Sequence, residues 1–270
     1  MTKIGIHGVS RTLSRESLEK SIEKTLRSTN LAICLHRITD SDSDRTKNPL
    51  TITSKTLKEL LSSLNRIACG SDVGKLTITF DDGYMESLEF IQKNQSNYPN
   101  LSWIYFICPE KSIKNEGFEW DPPNKKAELS SIERCFSAHK KHSIKIGNHT
   151  NSHRSISTLS NDEIINEIQL SIKKLKDHNI DHTDFAFPYG YPNVHFTESQ
   201  STLIKNEYSR HSIDVSLWST EPYPYPAKSN PIIIPRIPIL GTEDSTSSLS
   251  KILMQSIKLK IRNLSTISRT

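Results

Sequence analysis

The sequence predicts a single α/β domain built around a parallel sheet. Two observations lead to this fold class: short apolar runs of strand type recur seven times along the 270 residues, and most intervals between them carry helical patterns. Strands that alternate with helices are typical of βα units, whose strands pair in parallel. Seven such units either close into a distorted barrel or stay open as a doubly wound sheet, and the periodicity does not decide between the two.

The predicted elements follow from the spacing of their apolar residues. Two helical segments are the clearest: residues 54–67 carry leucines on one face, and residues 160–177 carry a stripe of isoleucines. Ser160 and Glu163 have the spacing of a capping box at the start of the second helix. The candidate strands are residues 31–38, 75–80, 102–108, 143–149, 184–190, 212–219 and 232–239.

Residues 1–270 are predicted to form one domain, because a chain of this length can bury one sizeable core. Residues 1–30 precede the first candidate strand and are predicted to be an N-terminal extension. Residues 245–270 are basic and roughly amphipathic, and we predict a C-terminal helix that packs against the domain. A weak contact of this helix with a membrane surface is the alternative.

Composition and charge exclude some partners. With 34% hydrophobic and 24% charged residues, the chain is polar but globular in character. The net charge of +5 is too small to indicate a nucleic-acid partner, although it would help to hold an anionic substrate or a membrane surface. There is no apolar run long enough for a membrane span or a signal peptide, so we expect a soluble, cytoplasmic protein. Four scattered cysteines, interpreted as buried free thiols, fit a reducing compartment.

Polar residues follow several of the candidate strands. In parallel α/β folds the chemistry gathers at the carboxyl ends of the strands. The residues found there are His36, Asp81, Asp82, His149 and Tyr189. These side chains are therefore the first candidates for a functional site.

The pair of acids at 81 and 82 needs a physical explanation. Side chains alternate along a strand, so Asp81 continues one face and Asp82 must leave the strand to join it. Gly83 permits the sharp turn that this requires. Two carboxylates that share a buried pocket are costly unless a cation or a proton compensates.

Two histidines supply the further ligands that a cation needs. His149 and His153 are four residues apart, and on a helical turn their side chains would be neighbours. Two imidazoles and one carboxylate, with positions left open for water, are typical of a catalytic metal site. Zinc is the default metal, and cobalt, nickel or iron would accept the same ligands. Each piece alone is more often a turn or a surface pair, and the joint occurrence at strand ends favours the site.

Three motifs together resemble a known family. TFDDGY (79–84), HTNSH (149–153) and FPYG (187–190) are similar, in order and approximate spacing, to the first three motifs of the polysaccharide deacetylases, the NodB-homology group of metal-dependent carbohydrate N-deacetylases. The resemblance covers most of the chain and implies a distorted (β/α)7 barrel. It also implies that Asp82, His149 and His153 bind the metal and that Asp81 is the catalytic base. The backbone N–H of Tyr189 would then stabilise the oxyanion.

The sequence departs from the family pattern at two places. The late L-x-H motif that supplies the acid histidine is missing, and His36 in CLHRI is the predicted replacement, with a core or loop histidine as the alternative. Phe185 stands where many members carry an arginine that orients the catalytic aspartate. Arg236 is predicted to reach Asp81 from the neighbouring side of a closed barrel; a surface ion pair or a substrate contact is the alternative.

The resemblance predicts hydrolytic N-deacetylation of an N-acetylated sugar, with release of acetate and a free amine. The substrate would be a saccharide, a glycolipid or a nucleotide- or lipid-linked precursor. Candidate substrate contacts are Pro188, Tyr189 and Trp218. Trp120 and Tyr191 are candidates for stacking on a sugar ring, although an aromatic residue near a loop is as often part of the core. The alternatives are hydrolysis of another non-peptide carbon–nitrogen bond, or a catalytically silent sugar-binding homologue.

Overall fold

The computed structural model describes residues 14–41, 48–70, 72–121, 128–142, 144–226 and 232–267. Its strands are short, as is common in barrels. They are β1 (Thr29–Leu35), β2 (Arg37–Thr39), β3 (Thr51–Thr53), β4 (Leu76–Phe80), β5 (Leu101–Ile107), β6 (Lys145–Asn148), β7 (Asp184–Ala186), β8 (Ser216–Trp218), β9 (Tyr225–Pro226), β10 (Ile233–Ile234) and β11 (Ile237–Pro238).

The helices fill most of the intervals between the strands. They are α1 (Arg15–Thr25), α2 (Ser54–Ile67), α3 (Met85–Asn94), α4 (Pro109–Lys114), α5 (Ile132–His142), α6 (Asn161–Asp177), α7 (Glu198–Arg210) and α8 (Ser245–Ile267), with 3-10 turns at Gln95–Asn97 and Ile156–Thr158. The predicted capping box is confirmed at the start of α6: the Ser160 hydroxyl accepts from the Glu163 amide, and the Glu163 carboxylate accepts from the Ser160 amide.

The main sheet is a nearly closed barrel of parallel strands. The strand order is β10, β8, β7, β6, β5, β4, β1, β11, and β9 adds a short antiparallel contact to β1. The last segment closes the barrel because its two halves pair with opposite ends of the sheet. β10 lies beside β8, whereas β11, which is separated from β10 by two residues, lies beside β1.

This closure confirms the distorted barrel and excludes the open sheet. Each of the seven predicted segments contains a strand, and residues 232–239 contain both β10 and β11. The predicted strand 31–38 is divided at His36 into β1 and β2, and β2 pairs with β3 outside the barrel. β3 and β9 were not predicted, because two or three residues carry no detectable period.

Alternation along the strands separates two apolar layers. The outward side chains of β1 and β4 join the leucines of α2 in the largest core cluster. A second cluster lies between α6, α7 and the outer face of β7. The barrel interior is filled by a smaller group, which consists of Ala32, Ile104, Phe106, Ala186 and Trp218.

The two terminal helices pack on the same core. Leu18 and Ile22 of α1 and Leu249 and Ile252 of α8 are all buried in the largest cluster. The boundaries of the N-terminal extension and the membrane contact of the C-terminal helix stay predictions. In the described part of the chain, no helix combines the length and the apolar character needed to span a bilayer.

Gly147 on β6 lies against the Phe106 ring of the barrel interior and leaves no room for a side chain. A Cβ atom at this position would lie 2.3 Å from Cδ1 of Phe106. We expect Gly147→Ala to lower the free energy of unfolding by about 1–3 kcal/mol, because it overpacks the interior. Urea denaturation followed by circular dichroism measures this change.

A double variant provides the control. Shortening the ring in Phe106→Leu makes room for the new methyl group, so the double variant should be more stable than the sum of the two single changes predicts. Unchanged stability of Gly147→Ala would contradict the interior packing described above.

Candidate active site

Asp81 and Asp82 lie at the turn after β4 and have different backbone conformations. The Asp81 amide continues the ladder by donating to the Leu35 carbonyl at 2.9 Å. Asp82 and Gly83 then both adopt left-handed backbone conformations, with φ of 75° and 83°. A non-glycine residue in this region is strained. With this turn, both carboxylates lie at the carboxyl end of the barrel, and each residue is at most 2% exposed.

The two histidines lie on an irregular loop after β6, so the predicted helical turn is wrong. Thr150 and His153 have φ of 65° and 66°, and the His153 amide donates to Oγ1 of Thr150 at 2.9 Å. The loop still brings the imidazoles together, with ring centroids 4.8 Å apart for His149 and His153. Their Nε2 atoms lie 3.5 Å and 3.1 Å from Oδ1 of Asp82.

The protonation of His149 shows why this cluster fits a metal ion. Its Nδ1 lies 2.8 Å from the carbonyl oxygen of Ala186, which can only accept, so Nδ1 carries the proton and Nε2 presents a lone pair to Asp82 in the neutral ring. Neither oxygen of Asp82 has a hydrogen-bond partner among the described residues, although both are buried. Lone pairs that converge in a buried site repel one another unless a cation lies between them. The three side chains therefore suit zinc or a similar divalent ion.

The same electrostatics shift the pKa of Asp82. Burial raises the pKa of its carboxyl, but the His149 and His153 rings lower the pKa by more when a proton on Nε2 takes the place of the metal ion, so the group is ionised. An ionised carboxylate is the form that binds a metal.

Glu167, on α6, holds the histidine loop in place and was not predicted from the sequence. Its Oε2 accepts from the amides of Asn151 and Ser152, both at 3.0 Å, and its Oε1 accepts from the Ser152 hydroxyl at 2.8 Å. The side chain is only 6% exposed. A glutamate on the apolar stripe of α6, next to Ile168, was the signal available in the sequence.

Arg236 crosses the barrel interior to reach Asp81. Its Nη1 and Nη2 donate to Oδ1 and Oδ2 of Asp81 at 2.6 Å and 2.9 Å, and Nη1 also donates to Oγ1 of Thr79 at 2.9 Å. Nε donates to the Ser219 carbonyl at 3.0 Å, and the guanidinium lies over the Phe106 ring. Burial raises the pKa of Asp81, but the positive charge of Arg236 lowers it by more, so Asp81 is also ionised.

His36 and Tyr189 line the same pocket as these residues. The pocket has a volume of about 270 Å³ and lies above the acid pair. His36 follows β1, its imidazole lies within 4.8 Å of Asp81, and its buried Nδ1 has no hydrogen-bond partner among the described residues. Tyr189 has a left-handed backbone, with φ of 61°, and a ring that is half exposed. The pocket walls also include Leu50, Trp120, His195, Thr220 and Pro238.

The other sequence candidates lie away from the pocket walls. Trp218 lies in the barrel interior, where its indole N–H donates to Oδ1 of Asp184 at 2.9 Å, so its contacts are those of a core residue. Pro188 is buried beneath the Tyr189 turn. Phe185 faces the helices, packed against Phe187 and Tyr208, and not the acid pair.

We expect Glu167→Gln to weaken zinc binding by about 10- to 100-fold, because an amide cannot match the carboxylate that accepts from two backbone amides and a hydroxyl. Isothermal titration with zinc measures the affinity, and circular dichroism checks that the chain is folded. Asp162→Asn, an exposed carboxylate-to-amide change on the same helix, is the matched control. Equal zinc affinity in Glu167→Gln and the parent would show that the loop does not depend on this carboxylate.

Comparisons with solved structures identify the architecture. The chain is similar to the Streptococcus pyogenes deacetylase PplD, solved in complex with acetate, with 14% identity and a TM-score of 0.60 over 84% of this chain and 99% of that one. It is also similar to a de-N-acetylase from Aggregatibacter actinomycetemcomitans, with 12% identity and a TM-score of 0.58 over 83% of this chain and 100% of that one. At these identities the likeness concerns the fold alone. Comparison with curated proteins gives no match.

The family follows from a comparison of the sequence with family profiles. The profile described as polysaccharide deacetylase matches residues 71–204, which include the acid pair, both histidines and the FPYG turn. The match thus covers three of the segments that build the site, whereas His36 and Arg236 lie outside it. The chain belongs to the polysaccharide deacetylase family, whose members are carbohydrate N-deacetylases that hydrolyse non-peptide carbon–nitrogen bonds.

Proposed function

We propose that the protein is a metal-dependent hydrolase that removes the acetyl group from the nitrogen of an N-acetylated sugar. One observation carries the proposal: the Asp82 carboxylate, which has no hydrogen-bond partner in the described part of the chain, converges with the imidazoles of His149 and His153. They lie beside a second, differently compensated carboxylate, Asp81, in one pocket. A metal-binding acid next to an acid free to take a proton is the arrangement that amide hydrolysis needs.

The roles of the side chains follow from their positions. A zinc ion held by Asp82 and the two histidines would act as a Lewis acid toward water and the acetamide carbonyl. Asp81 takes the proton of the attacking water: although Arg236 occupies one site on each oxygen, a carboxylate has about four acceptor sites.

Two further groups complete the reaction. The Tyr189 N–H donates to the carbonyl oxygen as negative charge develops there. His36, on the other side of the acid pair, gives a proton to the nitrogen as the carbon–nitrogen bond breaks. The products are acetate and the free amine of the sugar.

The assay for this function measures acetate released from a panel of N-acetylhexosamine sugars that includes oligosaccharides and nucleotide- and lipid-linked forms. We expect release by zinc-loaded protein and its loss on chelation. Asp81→Asn and His36→Ala should each lower kcat by about 10²- to 10⁴-fold, since each removes a proton-transfer group. Asp162→Asn and His142→Ala, which lie outside the pocket, are the matched controls.

The outcomes separate the alternatives. Loss of release in Asp81→Asn but not in His36→Ala would keep the deacetylase and remove His36 as the acid. Zinc binding without release from any sugar would leave a silent sugar-binding homologue, or hydrolysis of another non-peptide carbon–nitrogen bond.

Arg236 is proposed to be a positioning residue for Asp81. We expect Arg236→Lys to lower kcat by about tenfold or more with a KM within about threefold, because a lysine keeps the charge but not the two-point contact. Thermal unfolding checks stability, since removal of one partner of a buried ion pair costs about 3–5 kcal/mol in typical cases. Full activity of Arg236→Lys or of Arg236→Ala would refute the positioning role.

A further inference from the structure

The segment after α4 places an indole at the wall of the pocket. We infer that Trp120 is the platform on which the pyranose ring of the substrate stacks, and that this residue sets the affinity for the sugar. The inference rests on the proposed function and extends it, because it names the part of the substrate that this wall recognises.

Phe118 covers one face of the Trp120 indole. The two rings are stacked, with centroids 4.7 Å apart and planes inclined by 12°. Phe118 is itself buried at 6% exposure and packs with Tyr84 and Leu129. Because this face is used internally, only the other face and the edge of the indole can meet a ligand.

Among the described residues, no second ring is stacked on that other face. The His153 ring lies 5.0 Å from Phe118 and 5.2 Å from Trp120 and is steeply inclined to both, by 73° and 62°. A ring at nearly equal distance from two stacked rings lies beside the stack and not on top of it. The Tyr189 ring, 6.1 Å from Trp120 and inclined by 66°, is likewise not stacked on the indole.

Hydrogen bonds fix the indole before any ligand binds. Its Nε1 donates to the Tyr84 hydroxyl at 3.1 Å, and that hydroxyl donates to Oδ1 of Asp121 at 3.1 Å. Asp121 in turn accepts from Arg37 at 3.2 Å and, through Oδ2, from the Phe118 amide at 2.9 Å. A wall fixed in this way loses little entropy on binding, as ligand platforms require.

The chemistry of the wall selects the ligand. A flat, apolar aromatic face complements the C–H face of a pyranose, whereas the nearby polar groups suit its acetamide and hydroxyl groups. Since the Trp120 ring is 5.2 Å from the His153 ring, a stacked sugar is either the N-acetylated ring itself or the unit bonded directly to it.

Kinetics on the best sugar of the acetate panel test the assignment. Trp120→Ala should raise KM by about tenfold or more with kcat within about threefold, and Trp120→Phe should retain part of the affinity. Tyr84→Phe, which removes the hydroxyl that holds the indole, should raise KM by a smaller factor. An unchanged KM in Trp120→Ala would overturn the inference.

Fluorescence provides a readout that does not need turnover. Trp103 and Trp218 are buried at 7% and 5% exposure, so Trp120 is the indole that a pocket ligand contacts. Titration of the panel sugars into chelator-treated protein should change the emission of the parent and of Trp103→Phe, but not of Trp120→Phe. A response that survives in Trp120→Phe, or no response to any panel sugar, would also overturn the inference.

The two assays keep the inference and the proposed function apart. If no sugar yields acetate but the Trp120-dependent emission change is seen, the deacetylase proposal fails and the stacking wall stands. If acetate is released and neither KM nor emission depends on Trp120, the stacking wall fails and the deacetylase stands.

Discussion

The ion pair between Asp81 and Arg236 is the interaction on which the rest of the site depends. The two residues are 155 positions apart and meet inside the barrel, so their contact requires the last strand to close the sheet. The guanidinium also compensates one of two adjacent buried acids, which leaves the other beside the two imidazoles. Two neighbouring residues of the same type thus acquire different environments, and this difference underlies the proposal that one binds a metal and the other accepts a proton.

The loops of the site contain strained backbone conformations, and contacts with the surrounding structure offset their energetic cost. Asp82, His153 and Tyr189 have left-handed conformations, and strain of this kind costs about 1–3 kcal/mol per residue. Buried hydrogen bonds offset it, most clearly those from the histidine loop to Glu167 and from His149 to the Ala186 carbonyl. With these conformations, all three residues line one pocket.

The sequence was informative where the chemistry is local and less so where it depends on tertiary contacts. Strand and helix periods located the seven barrel segments, and the two acids with their histidines indicated a metal site. The helical turn at His149 was wrong, because a four-residue spacing also suits a loop with left-handed residues. Glu167 acts through contacts with backbone amides, which no residue spacing reveals. Trp218 was expected at the pocket, but its indole N–H lies against Asp184 in the interior.

A single turn links the reacting groups to the substrate wall. Asp81, Asp82 and Tyr84 lie within four residues; the first two are the proposed base and a proposed metal ligand, and the Tyr84 hydroxyl accepts from the Trp120 indole. A displacement of this turn would therefore disturb the proposed base, metal ligand and sugar platform together. Because catalysis is sensitive to misplacement of about 1 Å, a shift of that size in the turn would affect all three. In this interpretation, Tyr84, which follows the glycine of the TFDDGY motif, belongs to the substrate site as well as to the core.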